Sequence, residues 1–292
     1  MIGIFVCTYK RPVVRDCLLS LIESVEQTSC QDVEIHVIDN DASGSGKQAF
    51  DSVVSESNFP LFYHLEGTQG IASARNRCLE LAANRCQWLL FVDDDETVAS
   101  EWFGGYLSVF ENSDAVAYVG LVETVYPEYV KDEVRYSGLH DRSQKPHLQT
   151  ISSGACNNCA LSIDFIEKHQ LRFDDRYNSM MGEDSDLFER INRLGGVILW
   201  NAHSIVYEIL VPERATRDWA YQRYQWVGET YALRKKRYMS RMGIFKELVQ
   251  SVLNSAVAFG LSWLCFPWPA KHVKFYAYFI RNRAKVRAFL NA

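Results

Sequence analysis

From Leu248 to the C-terminus the chain has no aspartate or glutamate. Leu248 to Ala270 has no charged residue of either sign over 23 positions. Beyond that run stand six cations: Lys271, Lys274, Arg281, Arg283, Lys285 and Arg287. Basic residues joined to a long apolar run point to anionic lipid headgroups and away from nucleic acid. The run is long enough to span a bilayer. Gln250, Ser251, Asn254, Ser255 and Ser262 dilute it, however, and Pro267-Trp268-Pro269 breaks it. It reads as a monotopic or re-entrant membrane attachment. The soluble alternative is a helical hairpin packed on the rest of the chain or on a second copy. No charged segment precedes the apolar Met1 to Val6, so no secretory signal is expected. Eight scattered cysteines fit reduced core residues better than a disulfide framework. Cys156-Asn157-Asn158-Cys159 is a lone CxxC, without the second pair a structural zinc site needs.

The 292 residues, 48% hydrophobic and 23% charged, suffice for one large domain or a domain with an appendage. Ile2 to Cys7 is apolar and β-branched, and Thr8-Tyr9-Lys10-Arg11-Pro12 ends it. Pro12 suits the first turn of a helix that runs through Leu18, Leu19, Ile22 and Val25. Strands are expected over 33–38, 61–65, 88–92 and 115–125, with helices over 71–83 and 102–110. Strands alternating with helices predict a doubly wound α/β sheet. Residues 126–149 read as a long loop, and His140 and His147 within it as surface or acceptor contacts. A strand is expected over 151–158, with close backbone approach at Gly154. Leu187, Phe188, Ile191 and Leu194 form the stripe of a helix opened by Met180-Met181-Gly182-Glu183-Asp184. Further strands are expected at 197–200 and 205–210.

Polar stations fall at successive strand ends. In open α/β sheets ligands bind there. Thr8, Tyr9 and Arg11 follow the first strand, Asp39 the second, and Asp93-Asp94-Asp95 the fourth. Arg75 and Asn76 sit in a helix whose N-terminus favours an anion. Acids can bond ribose hydroxyls or a base N–H, while Arg, amides and a divalent cation handle a diphosphate. Each station has a plainer reading. Three aspartates suit a polar turn, Thr8 can simply end a strand, Asp39 cap a turn, and Arg75 be a surface charge. Their convergence favours a nucleotide site. Arg214, beside Pro212, can clamp a diphosphate or pair with Glu213 or Asp218.

Thr8-Tyr9-Lys10-Arg11-Pro12, Asp39-Asn40, Gly70 to Asn76, Phe91 to Glu96 and Gly182-Glu183-Asp184-Ser185-Asp186-Leu187 resemble, in that order, the motifs of family 2 glycosyltransferases. The resemblance covers roughly residues 1–240. Trp200 through Glu208 and Val211 to Thr216 look closest to bacterial exopolysaccharide enzymes such as succinoglycan glucosyltransferases. It implies a GT-A fold: a Rossmann-like mixed, mainly parallel sheet flanked by helices. The expected division is a catalytic domain over 1–212 and a helical region over 213–292, with 248–292 associating with a membrane.

By the resemblance, the activity is inverting, metal-dependent transfer of one sugar from a nucleotide sugar, UDP-linked, to a glycan acceptor on a polyprenyl diphosphate or in solution. Asp39 would read the base, Asp93 the ribose or donor sugar, and Asp94 would belong to the same site. Mg²⁺ or Mn²⁺ would rest on Asp95, with Glu208 or His203 as a further metal or diphosphate contact. Asp184 would be the base, oriented by Glu183. Gln222-Arg223-Tyr224-Gln225-Trp226 approaches the Gln-x-x-Arg-Trp motif of processive synthases, but Gln225 replaces its Arg, which predicts single addition. The expected location is the cytoplasmic face of the inner membrane. Two rival readings are a membrane-docked scaffold on a degenerate transferase fold and a nucleotidyltransferase. The first needs a broken acidic set, and the second has less use for Glu183-Asp184.

Overall fold

The computed structural model describes residues 1–11, 13–111 and 114–291. The expected helix-starting Pro12 lies outside them. The first half of the chain alternates as its pattern predicts: β1 (Ile2–Thr8), α1 (Val14–Glu26), β2 (Val33–Asp39), α2 (Lys47–Asp51), β3 (Leu61–Leu65), α3 (Ile71–Ala82), β4 (Trp88–Asp93) and β5 (Glu96–Val98). Then come α4 (Trp102–Phe110), β6 (Ala115–Val125), α5 (Asp132–Arg135), β7 (Asn158–Ser162), α6 (Ile163–Lys168), α7 (Glu183–Arg193) and β8 (Val197–Ile209). Three long helices close the chain: α8 (Arg217–Lys236), α9 (Arg241–Leu264) and α10 (Pro269–Leu290).

The eight strands form one mixed sheet in the order β3-β2-β1-β4-β7-β6-β8-β5. β3, β2, β1 and β4 are parallel, whereas β4–β7, β7–β6 and β5–β8 are antiparallel pairs. The parallel strands are apolar on both faces because helices cover both. Ile4, Val6, Leu90 and Val92 face α1 and α4 through Leu18, Leu21, Trp102 and Tyr106. The alternate residues Phe5, Leu89 and Phe91 face α3 and α7 through Leu79, Leu187 and Phe188.

Two expectations need correction. The strand expected over 151–158 begins only at Asn158. Gly154 does make a close approach, since a Cβ there would meet Val119 and Phe188 at 2.6 and 2.7 Å. The two strands expected at 197–200 and 205–210 are one, β8. Its polar middle is satisfied internally: Asn201 donates to the Gly105 carbonyl at 3.0 Å and to Ser204 at 2.9 Å. Ser204 in turn donates to the Trp102 carbonyl at 2.9 Å.

The chain separates into two compact units. The first comprises 1–123, 142–179 and 183–208, and holds the sheet. The second comprises 124–141, 180–182 and 209–292. In the second, α10 packs on both α8 and α9. Pro269 at the start of α10 explains the break read at Pro267-Trp268-Pro269, because proline fits a first turn and not a helix interior. No helix among the described residues is long and apolar enough to cross a membrane.

Candidate active site

Parallel pairing sets the expected stations side by side. Thr8 is level with Asp39, and Cys7 with Asp93. Beyond β4 the chain turns sharply, and the turn is held from β1. Thr8 donates to Asp94 at 2.7 Å, and Arg11 donates to Asp94 at 2.9 Å. Arg11 also pairs with Asp95 at 2.8 Å. Asp94 is buried, which pushes its carboxyl up to about 6 although Arg11 and Thr8 pull it down. It anchors the turn, a different task from the donor contact expected of it. Tyr9 is exposed and accepts from Gln69 at 2.7 Å.

Asp39 is fully buried. Its carboxylate accepts from the Asp41 amide at 2.9 Å, the Gly46 amide at 2.6 Å and the Tyr63 hydroxyl at 2.6 Å. Those three bonds shape the 40–46 turn, whereas the residue types alone suggest base recognition. Its neighbour Asn40 ties in the next loop. It donates to the Thr68 carbonyl at 2.8 Å and accepts from the Gly70 amide at 2.7 Å.

The start of α3 departs from the expected anion site. Asn178 accepts from the Ser73 amide at 3.0 Å and so caps the helix from a distant segment of the chain. Gly70, at φ +137°, leaves room for that side chain, and a Cβ there would stand 2.2 Å from Asn178 Oδ1. Asn76 grips the same segment through the Phe173 backbone, donating at 2.9 Å and accepting at 2.8 Å. In this structure it staples α3 to the segment around Phe173.

Arg75 is not the surface charge of its plainer reading. It is 5% exposed, with its guanidinium over the rings of Phe91 and Phe173. It donates to Glu183 and, at 3.3 Å, to Asp93. One buried cation therefore links the end of β4 to the start of α7. Glu183 is also buried, and burial pushes it up to about 7 against the pull of Arg75. Asp184 beside it is half-buried and accepts from the Ser185 amide at 2.5 Å.

A further acid closes the crevice. Glu96 on β5 lies directly opposite Glu208 on β8. Side chains directly opposite on an antiparallel pair share a face, so like charges there repel. Glu96 is buried. It accepts from Asn157 at 2.7 Å, and its second oxygen has no hydrogen-bond partner among the described residues. Burial, Asp93 and Glu208 raise its pKa well above the usual range. Asp93 is raised by desolvation, opposed by Arg75, and raised further by Asp95, Glu208 and Asp184. Arg142 approaches Glu208 at 3.7 Å. Glu96 belongs to the acidic run that follows β4, yet the sequence does not single it out for this role. The signal that marks it is a partner strand roughly 110 residues away, and no local pattern encodes such a pairing.

His203 does not join this group. It lies five residues from Glu208 on one strand, so roughly 16 Å away with its side chain on the other face. It stacks on His147, with ring centroids 3.9 Å apart. Arg214 belongs to the second unit, where its guanidinium sits over Trp219. Among the described residues no three His, Cys, Asp or Glu side chains form a metal cage. Carboxylates crowded until they raise one another nonetheless suit a hard divalent cation, and Mg²⁺ or Mn²⁺ at phosphates commonly takes only one or two protein ligands.

A mixed sheet with acids at the ends of its parallel strands is the GT-A arrangement, and solved structures of that fold superpose on the chain. Mannosyltransferase PcManGT from Pyrobaculum calidifontis, in complex with GDP-Man and Mn²⁺, matches 98% of this chain and 86% of its own, at TM-score 0.67 and 15% identity. S. aureus TarS 1–349, in complex with UDP, matches 97% and 90%, at TM-score 0.55 and 15% identity. At such identities the likeness speaks for the fold. The family follows from sequence: the chain belongs to glycosyl transferase family 2, whose model matches residues 3–169. It is 28% identical to the succinoglycan biosynthesis protein ExoM of Rhizobium meliloti (strain 1021), over 100% of this chain and 90% of that one. It is also 26% identical to a teichoic acid poly(glycerol phosphate) polymerase of Staphylococcus epidermidis, over 54% of this chain and 22% of that one.

Proposed function

We propose that the protein is an inverting glycosyltransferase that moves one sugar from a UDP-linked donor to a glycan acceptor on a polyprenyl diphosphate, in bacterial surface polysaccharide assembly. The observation that carries this is the bridge Glu183–Arg75–Asp93, whose buried guanidinium fixes the acidic start of α7 against the end of β4. Donor and acceptor chemistry need such a fixed spacing. Asp184, the more open acid of its pair, takes the proton from the acceptor hydroxyl. The oxygen then bonds to the anomeric carbon as the nucleoside diphosphate leaves from the opposite face, which inverts configuration. Glu183 positions this pair through Arg75. Tyr9 and Arg11 border the donor, and Asp39 shapes its edge through the 40–46 turn.

Asp95 and Glu208, with Asp93, would hold Mg²⁺ or Mn²⁺. Bound there, the cation supplies charge neutralisation for the leaving diphosphate. The name of the succinoglycan relative supports polysaccharide assembly, and the Mn²⁺ in the Pyrobaculum complex supports the metal. Exposed Phe245, Leu253, Val257, Trp263, Leu264 and Phe266 support attachment to a membrane surface.

The test is transfer from a panel of nucleotide sugars with divalent metal, scoring nucleoside diphosphate release. Asp184→Asn should lower turnover about 10²–10⁴-fold with donor binding unchanged. Wild-type turnover by that variant would remove Asp184 as base, and release of pyrophosphate instead would overturn the transferase reading.

A further inference from the structure

α10 is grooved on both flanks. Between α8 and α10 lies a cleft of about 380 Å³, lined by Tyr221, Gln222, Gln225, Glu229 and Tyr276. Between α9 and α10 lies one of about 340 Å³, lined by Val252, Ala256, Phe259, Phe279 and Val286. The first is polar and aromatic, with Tyr221 and Tyr276 edge to face at 5.0 Å. The second is almost wholly apolar. Arg283 lines both.

Helical spacing explains the sharing. Positions 279, 283 and 286 form one face of α10, and 276, 280, 283 and 287 the adjoining one, so Arg283 stands on the seam. Arg287 comes one turn later on the polar side. Both arginines are exposed, and among the described residues neither guanidinium has a hydrogen bond or ion pair. The acids of the polar cleft lie on α8 and have other neighbours: Asp218 stands 4.0 Å from Arg217, and Glu229 accepts from Gln225 at 3.0 Å.

Apolar groove, paired cations and polar cleft thus succeed one another across a single helix. That order matches an amphiphile with one hydrocarbon chain, a strongly anionic joint and a hydroxyl-rich head. Two guanidiniums one turn apart suit two linked phosphates, since each can bond phosphate oxygens in a fork. We propose that α8, α9 and α10 form a binding site for a saccharide-bearing isoprenyl diphosphate. The isoprenyl chain lies along Ala256 and Phe279, the diphosphate on Arg283 and Arg287, and the first sugar against Tyr221, Tyr276 and Gln222. This rests on the proposed acceptor class and assigns that acceptor a place.

Farnesyl diphosphate and farnesol, titrated against the full chain in calorimetry, test it. Wild type should bind the diphosphate at least tenfold more tightly than the alcohol. Arg283→Gln/Arg287→Gln should weaken the diphosphate more than tenfold, and Ala256→Trp should do so by filling the groove. All variants should retain wild-type binding of UDP, and Ala256→Trp that of phosphatidylglycerol vesicles; the arginine variant, which gives up two of the six cations facing anionic lipid, should lose less on vesicles than on farnesyl diphosphate. Equal affinity for farnesol, unchanged farnesyl diphosphate binding by either variant, or a loss of vesicle binding in the arginine variant as large as its loss of farnesyl diphosphate would each overturn the site. Failure of UDP to bind any form would instead strike the transferase reading, and the farnesyl diphosphate result would still stand by itself.

Discussion

Arg75 is the residue on which the site turns. Removing one partner of a buried ion pair costs about 3–5 kcal/mol, because the other charge is stranded. Arg75→Gln should therefore destabilise the fold by about that much in urea unfolding. Arg75→Met/Glu183→Leu should recover most of the loss while still abolishing transfer, since an apolar pair of similar volume needs no partner. Glu96 makes the opposite prediction. Its folded pKa is raised, so above the unfolded value near 4.5 the folded chain holds a proton that the unfolded chain has released. Stability from this group is complete below that pH and falls as pH rises. Glu96→Gln removes the slope, so its melting temperature should exceed wild type by a margin that grows from pH 5 to pH 8. That Thr8 and Asp93 end strands and that Asp184 opens a helix was legible in the sequence. Asn178 was not, because it acts on Ser73 from about a hundred residues away.

Elements were legible wherever one local period decided them. β3, α4 and β6 fall at the residues their apolar patterns predict. β7 was misplaced because Gly154-Ala155-Cys156 reads as strand although only Asn158–Ser162 pairs with β4 and β6. Asn158 there is fully buried, accepting from Trp102 at 2.9 Å and Tyr106 at 2.8 Å. Sequence cannot show that such an asparagine is satisfied. β5 has three residues and no periodicity to read. In the second unit, α8 meets α10 at Gly228, where a Cβ would stand 2.3 Å from the Arg281 carbonyl oxygen. Backbone cannot swing aside as a side chain can. Gly228→Val should cost about 1–3 kcal/mol from overpacking. Thermal unfolding followed by helical circular dichroism should show the loss. Gly243→Ala, whose added Cβ meets only side-chain atoms of Met239 and Ser240, serves as the control and should stay near wild type.

At the scale of the molecule, charge and apolar surface are segregated along the chain. No acid follows Glu247, whereas α10 carries six cations, and exposed apolar groups crowd α9 and the turn after it. Trp263, Leu264, Phe266 and Trp268 are each more than half exposed. Burying such side chains is worth about 1.5–3 kcal/mol apiece. Trp263→Ser/Leu264→Ser/Phe266→Ser should therefore release the protein from phosphatidylglycerol vesicles in co-sedimentation, while UDP binding stays at the wild-type level. High salt alone should weaken wild-type binding only in part, because screening reaches the cations and leaves the apolar contribution.

The pairing of β5 with β8 also has a kinetic side. Glu96 and Glu208 meet across roughly 110 residues of intervening chain, and contacts of such separation are slow to form. The acidic crevice is then among the last features a refolding chain completes. A ligand that needs both acids has nothing to hold before that step. UDP with Mn²⁺ should accordingly slow unfolding while leaving the refolding rate nearly unchanged, as expected for contacts absent from the transition state.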